Sequence, residues 1–147
     1  FNASVRGSAD PMVSKQMTSI AEALMEEVQQ AAFTFCDPND AAAETASSVA
    51  DCTTPEVMGA EAGDTRPFDN VSDYHGLSLA TITDEAGVAV PSLAGYSATI
   101  SVAPVSLFWV TAASGDLLQV TVRVTAPNGQ TFTLDGYRAR YAPNALP

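Results

Sequence analysis

The segment LLQVTVRVTAPNGQTFTL, residues 117–134, has the pattern of two short β-strands joined by a tight turn. Apolar and polar side chains alternate on both sides of Pro127-Asn128-Gly129, and a period of two is typical of a strand with one buried face. The Asn-Gly pair favours the positive φ angles that hairpin turns need. We therefore predict an antiparallel hairpin here, with its second strand broken at Gly136 and continued over residues 137–141.

Alternating segments upstream extend the predicted sheet. Residues 96–102 alternate Tyr, Ala, Ile and Val with Ser and Thr, which predicts a third strand. Two shorter strands, over residues 79–83 and 88–90, would be joined by a turn at Asp84-Glu85-Ala86-Gly87. The sheet region is thus predicted to span residues 77–147.

The N-terminal part of the chain has the period of an amphipathic helix instead. Between Ser8 and Phe33, apolar residues recur at steps of three and four and form one stripe: Val13, Met17, Ile20, Ala21, Leu24, Val28 and Ala31. Asp10-Pro11 fits a helix start, with Asp at the N-cap and Pro at the first helical position. We predict a helix within residues 1–34 whose stripe is covered by the sheet, giving a single α+β domain over residues 1–147.

Residues 35–76 connect the helix to the sheet and show no clear period. We expect a long acidic loop there, with one short helix near residues 41–50. A loop of this length usually has a function or needs a tether. The two cysteines of the chain, Cys36 and Cys52, could provide that tether as a disulfide, which would indicate an oxidising compartment. A free, buried cysteine pair is the alternative.

The charge of the chain limits its partners. A net charge of −11 and a pI of about 4.1 argue against nucleic acid and against anionic membrane surfaces. The acids concentrate between Cys36 and Glu85, whereas Arg123, Arg138 and Arg140 lie together near the C-terminus. We predict that these three arginines bind an acidic surface of a partner protein. The alternative is that they only offset acids within the domain.

The densest polar cluster is FDNVSDYHG, residues 68–76. Asp69, Asn70 and Asp73 could hold a calcium ion through their oxygen atoms. Alternatively, these three side chains cap and turn the backbone while the neighbouring tyrosine and histidine pack against the helix. The simpler expectation is that the chain holds no metal and no cofactor.

Catalytic motifs are not evident in the sequence. His75 is the only histidine, and the chain has no G-x-S-x-G elbow, H-E-x-x-H motif or P-loop. Trp109 could stack on a sugar, although a partly buried aromatic residue at a sheet edge is the simpler interpretation. We therefore predict a protein that is not an enzyme.

Four segments in fixed order resemble the minor pilins of type IV pili: SADPMVSKQMTSIAEALMEEV, FDNVSDYHGL, LAGYSATISV and LDGYRARYAP. The resemblance extends from Phe1 to about Pro143. It is strongest to the minor pilins of mannose-sensitive haemagglutinin pili and the related PilV-type minor pilins. None of these motifs is catalytic, so the resemblance depends on their order.

The resemblance implies a structural subunit that helps to start or cap pilus assembly, with other minor pilins and the major pilin as partners. It also implies a cleaved leader and an apolar helix before Phe1 that anchors a periplasmic precursor in the inner membrane. The mature subunit would lie in the pilus on the bacterial surface. The alternatives are a pseudopilin of a type II secretion system and an adhesive module at a pilus tip, which would use residues 37–68 or Trp109.

Overall fold

The computed structural model describes residues 10–147, in which one long helix lies across one face of a four-stranded antiparallel sheet. The helix, α1, spans Pro11–Gln30, and the strands are β1 (Ser78–Leu79), β2 (Ser97–Pro104), β3 (Leu117–Thr125) and β4 (Thr131–Ala139). The strand order is β1-β2-β3-β4, so every strand pairs with its neighbour in sequence and the sheet is a meander. The predicted α+β class is confirmed. Residues 1–9 of the predicted helical region lie outside the described part of the chain.

Helix α1 begins at Pro11, as predicted, because proline fits the first helical position. The Asp10 side chain makes no capping bond to the helix. The helix ends at Gln30, about one turn earlier than predicted, because Ala31 is extended and the next residue bridges to Asn70. Across residues 10–147, we find no helix with the length and apolar character needed to cross a membrane.

The core lies between α1 and the inner face of the sheet. In the helix stripe, Met17, Ile20, Leu24 and Val28 are at most 5% exposed. They pack against a row of buried side chains that alternate along the central strands: Ala98, Ile100, Val102, Leu118, Val120, Val122 and Val124. The prediction that the sheet of the protein covers the apolar stripe is confirmed.

Strand β4 is continuous through Gly136, so the predicted break at this residue is wrong. Gly136 pairs with Val120 of β3, and the strand ends only at Ala139. The glycine is needed for packing. A Cβ atom at this position would lie 2.7 Å from the sulfur of Met25, so α1 crosses β4 most closely where β4 has no side chain.

Two short elements also differ from expectation. The pair of strands predicted around the Asp84 turn is reduced to β1 and an isolated bridge between Thr83 and Ala89. The helix predicted near residues 41–50 is a series of turns followed by one 3-10 turn over Val49–Asp51. Both regions contain Asp, Ser, Thr or Gly without a sustained apolar period, and such segments favour turns.

The predicted hairpin between β3 and β4 is present. Thr125 pairs with Thr131, and the Gly129 N–H donates to the Ala126 carbonyl at 2.9 Å. Gly129 has φ +85°, a left-handed conformation that side chains with a branched Cβ rarely adopt. No atom beyond its chain neighbours lies within 4 Å of a Cβ built at this position, so only backbone strain would oppose a side chain.

We expect Gly129→Val to lower the free energy of unfolding by about 1–3 kcal/mol, the usual cost of a strained backbone conformation. Urea denaturation would measure it. Thr133→Val, at an exposed position of β4, is the matched control and should change stability by less than about 0.5 kcal/mol. Equal stability of the two variants would contradict the turn assignment.

Candidate functional site

The disulfide-linked segment between α1 and the sheet folds back against the C-terminal end of the helix. Cys36 and Cys52 form the predicted disulfide, with their Cα atoms 5.3 Å apart. Cys36 also forms an antiparallel bridge with Pro55, and Ala32 forms a parallel bridge with Asn70. These attachments bring residues 56–73 together beside the core, although they belong to no helix or strand of regular length.

A buried polar network fixes the backbone at the centre of this segment. The Asn70 side-chain amide donates to the Thr34 hydroxyl at 2.8 Å, and Thr34 donates to the Cys36 carbonyl at 2.6 Å. The Ser72 hydroxyl lies 2.9 Å from both Asn70 Oδ1 and Glu56 Oε1, and can donate to one of them at a time. Both polar atoms of the Asn70 side chain therefore form hydrogen bonds within the protein.

Three acidic side chains converge next to this network, and we refer to Glu56, Glu61 and Asp73 as the acidic cluster. One carboxylate oxygen from each residue lies within 4.8 Å of the other two. Asp73 is only 2% exposed; its Oδ2 accepts the N–H of Asn70 at 2.9 Å. Its Oδ1, together with Glu56 Oε2 and Glu61 Oε1, is buried without a hydrogen-bond partner among the described residues.

The electrostatics of the acidic cluster are unfavourable for three charged carboxylates. Burial, reinforced by repulsion from Glu56, raises the pKa of Asp73 to about 9. Burial also raises the pKa of Glu56 to about 7 and shifts the pKa of Glu61 upward. Within residues 10–147, the ion pairs are Glu27–Arg66 and Asp116–Arg140, and neither involves the acidic cluster. The three carboxylates therefore need protons or a cation.

The calcium ligands predicted from the sequence do not form one group. Asp73 belongs to the acidic cluster, but the side chain of Asn70 bonds Thr34 and Ser72 instead. Asp69 accepts from the Asn39 amide at 3.3 Å and lies outside the set of oxygens that approach one another within 4.8 Å. Asp73 and Asn70 also accept the backbone N–H groups of Asn70 and Ser72, at 2.9 and 3.3 Å. Glu56 and Glu61 were missed because they lie 12 to 17 residues upstream of Asp73 in a segment without periodicity.

A second polar cluster connects the helix to the loop. Arg66 donates to both carboxylate oxygens of Glu27, with Nε–Oε1 at 2.9 Å, and to the Thr83 hydroxyl at 3.0 Å. Tyr74 donates to Glu27 Oε1 at 3.0 Å, as expected for a residue packed on the helix. His75, by contrast, is exposed, and its Nδ1 accepts from the Val102 N–H at 3.1 Å.

The Glu27–Arg66 pair also lines an apolar cleft of about 720 Å³ between α1 and residues 82–93. Ile20, Leu24 and Ile82 contribute apolar side chains to the lining. The hydrogen bonds that Arg66 donates to Glu27 raise the pKa of Arg66, while burial raises the pKa of Tyr74. Arg66 therefore stays charged and Tyr74 stays neutral at physiological pH, and the cluster joins structural elements without offering a reactive group.

The three arginines that were predicted to form one partner-binding patch lie on two different faces of the sheet. Arg138 donates to the carbonyls of Gln29 and Ala31, at 2.7 and 3.1 Å, and so caps the C-terminal end of α1. Arg140 lies 3.1 Å from Asp116 and is stacked on two phenylalanine rings at 4.3 and 4.5 Å. Arg123 is exposed on the opposite face.

The alternation of side chains along β4 predicts the direction in which Arg138 points. Phe132 and Leu134 face the helix, and Arg138 is an even number of residues further along the same strand. It therefore has to point toward the helix as well. In β3, the apolar residues Val122 and Val124 flank Arg123, which places Arg123 on the outer face.

We expect Arg138→Ala to lower the free energy of unfolding by about 2 kcal/mol, because two helix C-terminal carbonyls would lose a charged donor. Arg123→Ala removes an exposed arginine from the neighbouring strand and should hardly change the free energy of unfolding. Guanidinium denaturation of the two variants would measure the difference. An Arg138→Ala variant as stable as wild type would show that water satisfies the two helix carbonyls in place of the guanidinium.

Among residues 10–147, the most exposed aromatic side chains lie at the tip of the connection between β2 and β3. Phe108 and Trp109 are 87% and 89% exposed, and their ring centroids are 5.8 Å apart. Reciprocal backbone hydrogen bonds at 3.0 Å between Leu107 and Val110 hold this turn. The interpretation of Trp109 as a partly buried residue is therefore wrong, since its indole projects from the domain.

Similarity to known proteins does not assign a function to these features. The chain matches no protein-family model, and no curated protein or solved structure shows significant similarity to it. The resemblance to minor pilins therefore rests on the order of the four sequence segments. The acidic cluster, the covered helix and the exposed aromatic turn are the geometric features from which function can be inferred.

Proposed function

We propose that this chain is a structural subunit of a type IV pilus, of the minor pilin class, and not an enzyme. The observation that carries the proposal is the long helix α1 laid on an antiparallel meander that covers its apolar stripe. This is the architecture that the sequence resemblance implies. The proposed partners are other minor pilins and the major pilin.

The disulfide supports an extracytoplasmic location for the domain. Disulfides persist in the periplasm and on cell surfaces, whereas reducing systems keep cytosolic thiols free. Cys36 is fully buried and packs with Ala43 and Ala46 in a small second core. The bond is therefore part of the folded structure, which fits a protein that matures in the periplasm and reaches the bacterial surface.

Partner contacts are proposed on the outer face of the sheet. The apolar stripe of α1 is buried against the sheet, and Arg138 and Arg140 are engaged within the domain. The outer face carries exposed Thr99, Arg123 and Thr133. A polar surface with an exposed cation suits reversible contact with an acidic subunit, with a contribution that decreases as salt increases.

The proposal can be tested by deleting the gene and complementing the strain with wild type, Arg123→Glu or the charge-conserving control Arg123→Lys. We expect deletion to reduce the number of surface pili seen by electron microscopy, and wild type to restore it. Charge reversal should weaken copurification with the other minor pilins, while Arg123→Lys should not. An unchanged pilus count in the deletion strain, with none of the chain in pilus fractions, would refute the proposal.

An adhesive module at a pilus tip is the second candidate, and the exposure of Phe108 and Trp109 favours it. Exposed aromatic rings can stack on the apolar faces of sugars. A glycan array would test this with wild type, Trp109→Ala and the control Tyr141→Ala, which removes a 78% exposed ring elsewhere. Specific loss of binding in Trp109→Ala would support adhesion, and no glycan binding by wild type would count against it.

A further inference from the structure

The geometry points to a calcium-binding site formed by the carboxylates of Glu56, Glu61 and Asp73. This inference is independent of the proposed pilus function. The acidic cluster supplies oxygen atoms within 4.8 Å of one another. Calcium–oxygen distances are about 2.3–2.6 Å, so two ligands of one ion can be up to about 5 Å apart. The separations in the cluster are therefore compatible with a shared calcium ion.

The buried Asp73 side chain is the observation that distinguishes this cluster from ordinary surface acids. Asp73 is 98% buried, since its exposed fraction is 2%, and no N–H or hydroxyl group of the described residues donates to its Oδ1. The neighbouring carboxyl of Glu56 can pair with Asp73 only when one of the two carries a proton. Buried polar atoms are nearly always paired, and an unpaired carboxylate oxygen is especially costly. Glu56 and Glu61 each contribute a further buried oxygen without a donor to the same cluster. A cation would satisfy all three.

The ligand chemistry favours a hard divalent cation, and calcium over magnesium. The cluster offers carboxylate oxygens without His or Cys, which is the donor set of Ca²⁺ and Mg²⁺ and not that of zinc or copper. Magnesium requires near-ideal octahedral geometry and keeps several waters, whereas calcium accepts irregular sites made of protein oxygens. Three carboxylates supplied by a loop and a short 3-10 turn form an irregular site of this kind.

The fold holds the ligands in place from both sides. Asp73 lies in the 3-10 turn Ser72–Tyr74, whose last side chain is anchored to helix α1 through Glu27. Glu56 follows the bridge at Pro55, and its N–H donates to the Phe35 carbonyl at 3.1 Å. The Glu61 N–H donates to Asp64 Oδ2 at 3.0 Å, which fixes the turn that presents its carboxylate. Calcium would therefore connect the segment to the helix-anchored turn.

The direct test is calcium titration of the purified chain after chelator treatment. We expect one calcium ion to bind by isothermal titration calorimetry at neutral pH. Calcium at about one hundred times the dissociation constant should raise the melting temperature by about 5–10 °C. Magnesium at the same concentration should produce a clearly smaller shift. Sodium chloride at matched ionic strength serves as the screening control.

Two variants remove ligands while retaining side-chain volume. Asp73→Asn keeps an oxygen that can accept from the Asn70 N–H, and Glu61→Gln changes a less buried ligand, so at least one variant should fold normally. Both should lose the calcium-dependent rise in melting temperature. Glu44→Gln removes an exposed acid from the same disulfide-linked segment and should respond to calcium as wild type does.

Three results would overturn the inference. The first is a wild-type melting temperature that calcium leaves unchanged; greater stability of Asp73→Asn than of wild type would then show that the carboxylates only share protons. The second is a calcium response that persists in both ligand variants. The third, equal responses to calcium and magnesium, would overturn the assignment of the ion as calcium.

Discussion

Arg66→Ala is expected to lower the free energy of unfolding by about 3–5 kcal/mol, the usual cost of removing one member of a buried ion pair. The Glu27 and Arg66 side chains are only 7% and 9% exposed, and the guanidinium contacts both carboxylate oxygens. Without Arg66, Glu27 would remain largely buried at the edge of the cleft, with only the Tyr74 hydroxyl as a side-chain partner. Urea denaturation at neutral pH would measure the loss.

A double-mutant cycle separates the stabilisation due to the Glu27–Arg66 ion pair from that due to packing of the two side chains. Glu27→Gln removes the carboxylate charge, so Arg66→Ala should cost less in that background, and the difference gives the coupling between the two residues. Arg123→Ala is the matched control, since it removes an exposed arginine. A cost below about 1 kcal/mol for Arg66→Ala in the wild-type background would show that water readily enters to solvate Glu27.

Removal of the disulfide is expected to have the other large effect. The bond joins residues 16 positions apart, and closing a loop of this size stabilises a fold by about 3 kcal/mol in the chain-entropy model. The double variant Cys36→Ala with Cys52→Ala should lose stability of that order. The second core around Ala43 and Ala46 should open first, because the bond closes the loop that carries it. The Cys36–Pro55 bridge, the Asn39–Asp69 hydrogen bond and the Asn144 side chain would still attach it to the rest of the domain.

Reducing agent provides an independent check of the disulfide. It should destabilise wild type to the same extent as the double alanine variant and leave the variant unchanged. Thiol titration of the unfolded, unreduced wild type should detect no free thiol. If reducing agent also destabilised the double alanine variant, the loss of stability in wild type could not be attributed to the disulfide.

The disulfide also supports the acidic cluster. Glu56 lies just after the Cys36–Pro55 bridge, so opening the disulfide should disorganise the acidic cluster and weaken calcium binding. The Arg66→Ala variant changes the opposite side of the same segment, where Tyr74 is anchored to Glu27. Calcium should therefore be titrated only with variants whose near-ultraviolet spectra show intact tertiary packing.

The sequence by itself determined the elements whose signal is local. The stripe of α1 and the alternation in β2, β3 and β4 are consequences of side-chain geometry within each element, because a buried face repeats every 3.6 or 2 residues. The turn at Gly129 could also be predicted from the sequence, since its conformation depends on adjacent residues. The same alternation gives Arg123 and Arg138 opposite orientations on the sheet.

Only the tertiary structure decided how the acidic cluster is formed. Glu56, Glu61 and Asp73 lie in irregular segments, where spacing along the chain does not determine spacing in space. Their convergence depends on the disulfide, on the bridges at Pro55 and Asn70, and on the packing of Tyr74 against Glu27. Gly136 illustrates the same principle, because its role is set by the close approach of Met25 from a helix more than one hundred residues away in sequence. Contacts of this kind arise from packing between elements, and no local pattern encodes them.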